Sequence, residues 1–191
     1  MIRELVEKNR SYRGYDESRK MTREELAEFV DCARLTASAA NKQPLRYYLA
    51  WEQEQLDKIQ PLTGWAKALP EMRLPLPGKN PTGFIVICRD VNVAKTKEEC
   101  MCDVGIAAQT MLLYAAEKGL GGIMIGNFSP ERIKKALGLS EEFEPVLIVA
   151  FGKPDEEVRL VEAEKDASLK YYRDANNVHY VPKRKLEDVL I

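Results

Sequence analysis

Arg10, Ser11 and Arg13 stand within four residues of one another, just ahead of Gly14. Two guanidiniums and a hydroxyl at that spacing can hold a phosphate through charge-assisted, bidentate hydrogen bonds. A solvated basic turn has the same composition. A second segment, Ser38-Ala39-Ala40-Asn41-Lys42-Gln43-Pro44, joins small residues that let backbone approach a flat ligand to side-chain amides that can bond its polar edges. Ordinary turn chemistry after a helix is the competing reading. A third, Pro182-Lys183-Arg184-Lys185-Leu186, is a basic run near the other end of the chain. If it is extended, Lys183 and Lys185 point one way and Arg184 the other.

Other chemistries lack their residues. There is no G-x-x-x-x-G-K-[ST] phosphate loop, and Gly119, Gly121, Gly122 and Gly126 do not space as a dinucleotide-binding G-x-G-x-x-G. Cys100-x-Cys102 has no second cysteine pair or neighbouring histidine, so no metal site is expected. His179 is the single histidine, in a polar stretch. It cannot anchor a hydrolytic triad and is expected at the surface.

The 191 residues suit one domain, residues 1–191, with 45% hydrophobic residues to fill a core. Lys and Arg number 29 against 30 Asp and Glu, a net charge of −1 that gives no reason to expect a nucleic acid or membrane partner. A small-molecule ligand is left. The start of the chain mixes charge into its apolar residues, unlike a signal peptide. The longest apolar stretch, 104–116, is too short to span a bilayer. A cytoplasmic protein with reduced thiols is expected.

The elements that must position these residues follow from periodicity and caps. Residues 2–8 read as a short helix. Thr22 with Glu25 forms a capping box before the helically spaced Leu26, Phe29, Val30, Ala33 and Ala37. Strands are expected at 47–51, 84–88, 121–125 and 146–151, with helices at 52–60 and 103–118. Ser129-Pro130 opens another helix that Gly138 closes. Five of the ten prolines fall in 61–81, which cannot be regular helix or central strand and is the expected lid over a site. The 103–118 helix is apolar almost all round, as if held between a sheet and a second subunit. Residues 155–191 are charged but carry apolar positions such as Tyr171, Tyr180 and Leu190, so they are expected to form a docked extension. Helices and strands are mixed along the chain, hence α/β or α+β.

Taken in order, Arg10-Ser11-x-Arg13-x-Tyr15, Ser38-x-x-Asn41-x-Gln43-Pro44, Asp103-x-Gly105-x-Ala107-x-Gln109, Gly119-Leu120-Gly121 with Ile125-Gly126-x-Phe128, and Phe151-Gly152-Lys153-Pro154 resemble the nitroreductase family of FMN-dependent oxidoreductases. The resemblance runs from residue 8 to residue 188. It implies an α+β fold: a three-layer sandwich whose mixed, mostly antiparallel sheet is flanked by helices. It further implies an intertwined homodimer in which the 155–191 extension docks on the partner subunit. FMN would be bound at the interface, and NAD(P)H would deliver hydride through it to a nitroaromatic, quinone or similar acceptor in a ping-pong sequence. Residue by residue, it assigns Arg10 and Ser11 to the FMN phosphate, Arg13 to the N1/O2 edge of the flavin ring, and Ser38, Ala39 and Asn41 to contacts from the partner subunit. Backbone at Ile125, Gly126 and Asn127 would face flavin N5, and Lys183 and Lys185 would reach the phosphate. No side chain is assigned as a catalytic acid. The chain departs from many members in carrying Leu45 where they have Trp, and it lacks a longer insertion near the substrate pocket, so 61–81 would have to shape that pocket. A non-catalytic FMN-binding or storage protein, and a dehalogenase-like flavoenzyme of the same fold, are the alternatives.

Overall fold

Chain order in the computed structural model is α1 (Ile2–Lys8), α2 (Arg23–Arg34), β1 (Leu45–Ala50), α3 (Gln53–Ile59), β2 (Gly83–Asp90), α4 (Met101–Glu117), β3 (Gly121–Ile125), α5 (Pro130–Leu137), β4 (Phe143–Gly152), β5 (Val158–Ala163), β6 (Tyr172–Arg173) and β7 (His179–Arg184). The structure describes residues 1–67, 69 and 71–191, so the lid expected over 61–81 lies in part, at Ala68 and Pro70, outside the described residues.

Strand alternation decides the layering. Successive side chains of β2 point to opposite faces, and both faces are apolar. Ile85 and Ile87 join Leu26, Phe29 and Ala33 of α2 and Val104, Ala108 and Met111 of α4 in one core. Phe84, Val86 and Cys88 join Leu56 and Ile59 of α3 and Ile133 of α5 in another. Each fully buried Ile or Phe contributes about 2 kcal/mol by leaving water. The result is the expected three-layer α+β sandwich. Its central sheet runs β1-β2-β4-β3 with every neighbouring pair antiparallel. A second sheet, β5-β7-β6, pairs β5 with β7 in parallel and β6 with β7 antiparallel.

The capping box opens α2 as expected: Glu25 N–H donates to Thr22 Oγ1 at 3.2 Å, and Thr22 N–H donates to Glu25 Oε2 at 3.0 Å. Ser129 caps α5, and Gly138 closes it at a φ of 62°. Helix α4 is less enclosed than its composition suggests. Val104, Ala107, Ala108, Met111, Leu112, Ala115 and Ala116 are buried, whereas Met101 and Ile106 stay 39% and 41% exposed. The uncovered side is a stripe one helical turn apart, as the residues at 102, 106, 109 and 113 must be at 3.6 per turn. No helix among the described residues is long and apolar enough to cross a membrane.

Two features bring both ends of the chain to one place. The first is the edge of β3, along which the segment after α1 lies: Ser11 bridges Gly122 in parallel, and Tyr12 N–H donates to Gly122 O at 3.2 Å. Gly121 makes the approach possible, since a Cβ there would stand 2.5 Å from the Tyr12 ring. The second is the turn after β4. Asp155 N–H donates to Gly14 O at 3.0 Å, and Tyr15 bridges Pro154, so the C-terminal sheet folds back onto residues 10–15 of its own chain.

Candidate functional site

A cleft of roughly 470 Å³ opens where these segments meet. Arg10, Ser11 and Arg13 line it from the N-terminal segment, Gln109 and Leu112 from α4, and Met124 from β3. The C-terminal sheet contributes His179, Val181 and Lys183, with Tyr171 beside them. Positions 179, 181 and 183 face it together because alternate residues of β7 share a side.

The cationic groups are held with surplus charge. Arg13 is 7% exposed. Its Nη1 donates to Ser11 O at 2.9 Å and to His179 Nε2 at 3.2 Å, and its guanidinium carbon lies 4.7 Å from the centre of the Tyr171 ring. Behind it, Arg173 and Glu156 form a buried ion pair, and Glu156 also accepts from the Arg13 backbone N–H. That carboxylate is thus spent on the Arg173 guanidinium and the Arg13 backbone, and the Arg13 guanidinium has no ion pair of its own among the described residues. Burial lowers the Arg13 guanidinium below its usual pKa, against a smaller opposing effect of Tyr171 and Glu156. Arg10 donates through Nη2 to Val6 O at 2.5 Å, and burial lowers it too. The Nε–H groups of Arg10 and Arg13 are buried without a hydrogen-bond partner among the described residues. Lys183 makes no ion pair among them. Unbalanced positive charge and orphaned donors around one cleft are what an anionic ligand would satisfy.

His179 corrects its expected place at the surface: it is 1% exposed. The polar sequence around it hid this, because β7 buries only one side. Burial, then Arg13 and Arg173, push its pKa down to about 4. The native ring is therefore neutral through pH values at which the unfolded chain, near 6.5, takes up a proton. The unfolded state binds more protons between those limits, so stability should fall as pH drops from about 6.5 to about 4, by roughly 3 kcal/mol at most. Urea midpoints across that range should show the loss in the wild type and a smaller loss in His179→Gln.

The other expected site residues sit elsewhere. Ser38 lies in a smaller pocket of about 120 Å³, lined also by Gln43, Tyr47 and Asp103. Asp103, 5% exposed in the first turn of α4, organises this loop. Ser38 Oγ donates to its Oδ2 at 2.5 Å, Ala39 N–H donates to its Oδ1 at 3.3 Å, and Gln43 N–H returns to Ser38 Oγ at 2.9 Å. Ala39 and Asn41 are exposed, and Asn41 adopts a φ of 53°. Asp103 and Gln109 are six residues apart on α4, about 9 Å by the helical rise, so the helix separates this loop from the Arg10 cleft. Ile125 points its side chain into the α3–α5 core. Gly126 follows it in open space, and Asn127 O accepts from Gly64 N–H at 2.7 Å. Lys185 is committed to Glu164 at 3.0 Å and does not line the cleft.

The Pro-rich segment touches the site from two sides. Gly64 is tied to Asn127, while Leu69, Leu74 and Leu76 pack with Tyr171. Sequence reasoning missed Tyr171, His179 and the Glu156–Arg173 pair. Strand alternation through 179, 181 and 183 was the available signal.

A family model described as "Nitroreductase family" matches residues 6–153. A protein of Archaeoglobus fulgidus named "Putative NADH dehydrogenase/NAD(P)H nitroreductase" is 27% identical over 165 residues, covering 84% of this chain and 89% of its own. Among solved structures, a nitroreductase family protein of Clostridium difficile 630 superposes with a TM-score of 0.64 at 25% identity, over 82% of this chain and 85% of that one. An FMN-dependent nitroreductase from Clostridium difficile R20291 shares the fold with a TM-score of 0.65 at 23% identity, over 85% and 91%.

Proposed function

This chain belongs to the nitroreductase family, and from that premise we propose that it is an FMN-dependent oxidoreductase acting as a homodimer. When bound, FMN would supply the two-electron chemistry, taking hydride from NAD(P)H and passing it to an electron-poor small molecule such as a nitroaromatic or quinone, in ping-pong order. The single observation that carries the reading is the cleft in which Arg10, Arg13 and Lys183, from opposite ends of the chain, converge with unsatisfied donors.

Within that reading, Arg10, Ser11 and Lys183 hold the phosphate by charge-assisted hydrogen bonds. Lys185 joins them only by leaving Glu164. Arg13, fixed by Ser11 O and Tyr171, stands at the N1/O2 edge, where a preorganised guanidinium favours added negative charge. Backbone at Ile125, Gly126 and Asn127 offers an amide to N5, with no side chain at Gly126 to obstruct it. Ser38, Ala39 and Asn41 reach the flavin from a second copy of the chain, a role for which the α4 stripe around Met101 and Ile106 supplies an uncovered apolar contact. The 155–191 extension adds to that contact through Leu186, Val189 and Leu190, all exposed. The segment around Trp65 and Leu74, anchored at Asn127 and Tyr171, shapes the acceptor pocket and excludes water.

Incubation of the purified protein with FMN, followed by gel filtration, tests this. Flavin absorbance eluting with a dimer is expected at about one FMN per chain; colourless protein would overturn the reading.

A further inference from the structure

His179 is the one histidine of the chain, and its two ring nitrogens have different surroundings. Nε2 lies 3.2 Å from Arg13 Nη1. A guanidinium has donors and no acceptor, so Nε2 must accept and cannot carry a proton. A neutral ring then has its proton on Nδ1. Nδ1 is buried and has no partner among the described residues. A buried N–H left unsatisfied costs about 1–3 kcal/mol, and the ring borders the cleft that holds Arg10 and Lys183.

We propose that His179 is a binding residue for the ligand of this cleft: Arg13 fixes its tautomer, and Nδ1–H donates a hydrogen bond to an acceptor oxygen or nitrogen of that ligand. The proposal rests on the reading that the ligand is FMN. The groups facing the ring explain why the donor is neutral. Arg13 comes from the N-terminal segment, Arg173 from β6, and the Tyr171 ring lies tilted at 48° with 5.1 Å between ring centres. A third cation beside these two arginines would add repulsion without adding a hydrogen bond, and burial pushes the imidazole further toward its uncharged form. The site thus gains direction from His179 and charge from its arginines and lysine.

Two substitutions separate the nitrogens. In His179→Asn the amide NH2 lies near the Nδ1 position, so FMN affinity should stay within about threefold of wild type. In His179→Gln the amide extends toward Nε2 and keeps only the Arg13 contact, so affinity should fall about tenfold, the worth of one hydrogen bond. Fluorescence titration of the full-length protein with FMN gives both values. Nitrogen-15 labelling of histidine gives a single pair of ring signals in the wild type, free of any folding defect in a variant. An Nδ1–H tautomer without FMN, with the Nδ1 proton shifted downfield and protected on FMN addition, is expected. An Nε2–H tautomer, an Nδ1 signal indifferent to FMN, or equal FMN affinity in His179→Gln and the wild type would overturn the inference alone. Wild-type protein that takes up no FMN would overturn the cofactor reading and this inference with it.

Discussion

Replacing Arg10 and Lys183 together by Ala should weaken FMN binding by about 100-fold while leaving the fold intact. Each side chain would give the phosphate a charge-assisted hydrogen bond worth at least about 1.5 kcal/mol, and the resulting sum of about 3 kcal/mol is roughly a hundredfold in affinity. The geometry favours a large effect. Arg10 is half-buried with its Nε–H unpartnered, so ligand binding satisfies a donor that the free protein leaves orphaned. Lys183 reaches the same cleft from β7 and gives up no ion pair among the described residues to do so. The two residues are separated by almost the whole chain, so a joint loss would show that one ligand is held by both ends. Arg10 holds only the last turn of α1, a helix with no buried residue, and Lys183 is exposed, so the urea midpoint should move little. Fluorescence titration at two salt concentrations checks this, and the double variant should show the shallower salt dependence.

Gly122→Ala should cost about 3 kcal/mol of stability, the largest single-methyl effect expected in the molecule. A Cβ there would lie 2.2 Å from Ala150 O, 2.8 Å from Leu112 Cδ2 and 3.1 Å from Phe151 Cδ1. The first of these is backbone of the central strand β4 and cannot swing aside. Yielding would separate β3 from β4 or push α4 off the sheet. The damage would also reach the site, because Ser11 and Tyr12 are registered on Gly122. Gly126→Ala is the contrast: its Cβ would meet nothing within 4 Å, and its urea midpoint should match wild type. Equal midpoints for the two variants would contradict the packing described for β3.

Much of this arrangement was legible in the residues. Thr22 and Glu25 named the start of α2, Ser129-Pro130 and Gly138 bracketed α5, and Gly121–Ile125 was read to the residue. These are local signals, and local backbone chemistry wrote them. The clustering of Arg10, Ser11 and Arg13 was equally local. What stayed hidden depended on tertiary pairing. The polar stretch around His179 reads as solvated, yet β7 pairs with β5 and turns one side inward, which buries the ring against an arginine 166 positions away. Asp103 marked only the expected start of the 103–118 helix, and its hold on Ser38 and Ala39 exists because α4 passes that loop. The apolar circumference of α4 predicted burial on every side. One chain buries only part of it, and the remaining stripe is the surface for which a second copy is proposed.

On the function proposed above, this chain turns over its bound flavin rather than storing it. Anaerobic mixing of the FMN-loaded protein with NADH and, separately, NADPH tests it most directly. Rapid bleaching of the flavin absorbance with at least one donor, restored when a quinone or nitroaromatic is added, is the predicted result. Flavin that stays oxidised in the presence of both donors would contradict the account and leave an FMN-binding protein without this activity.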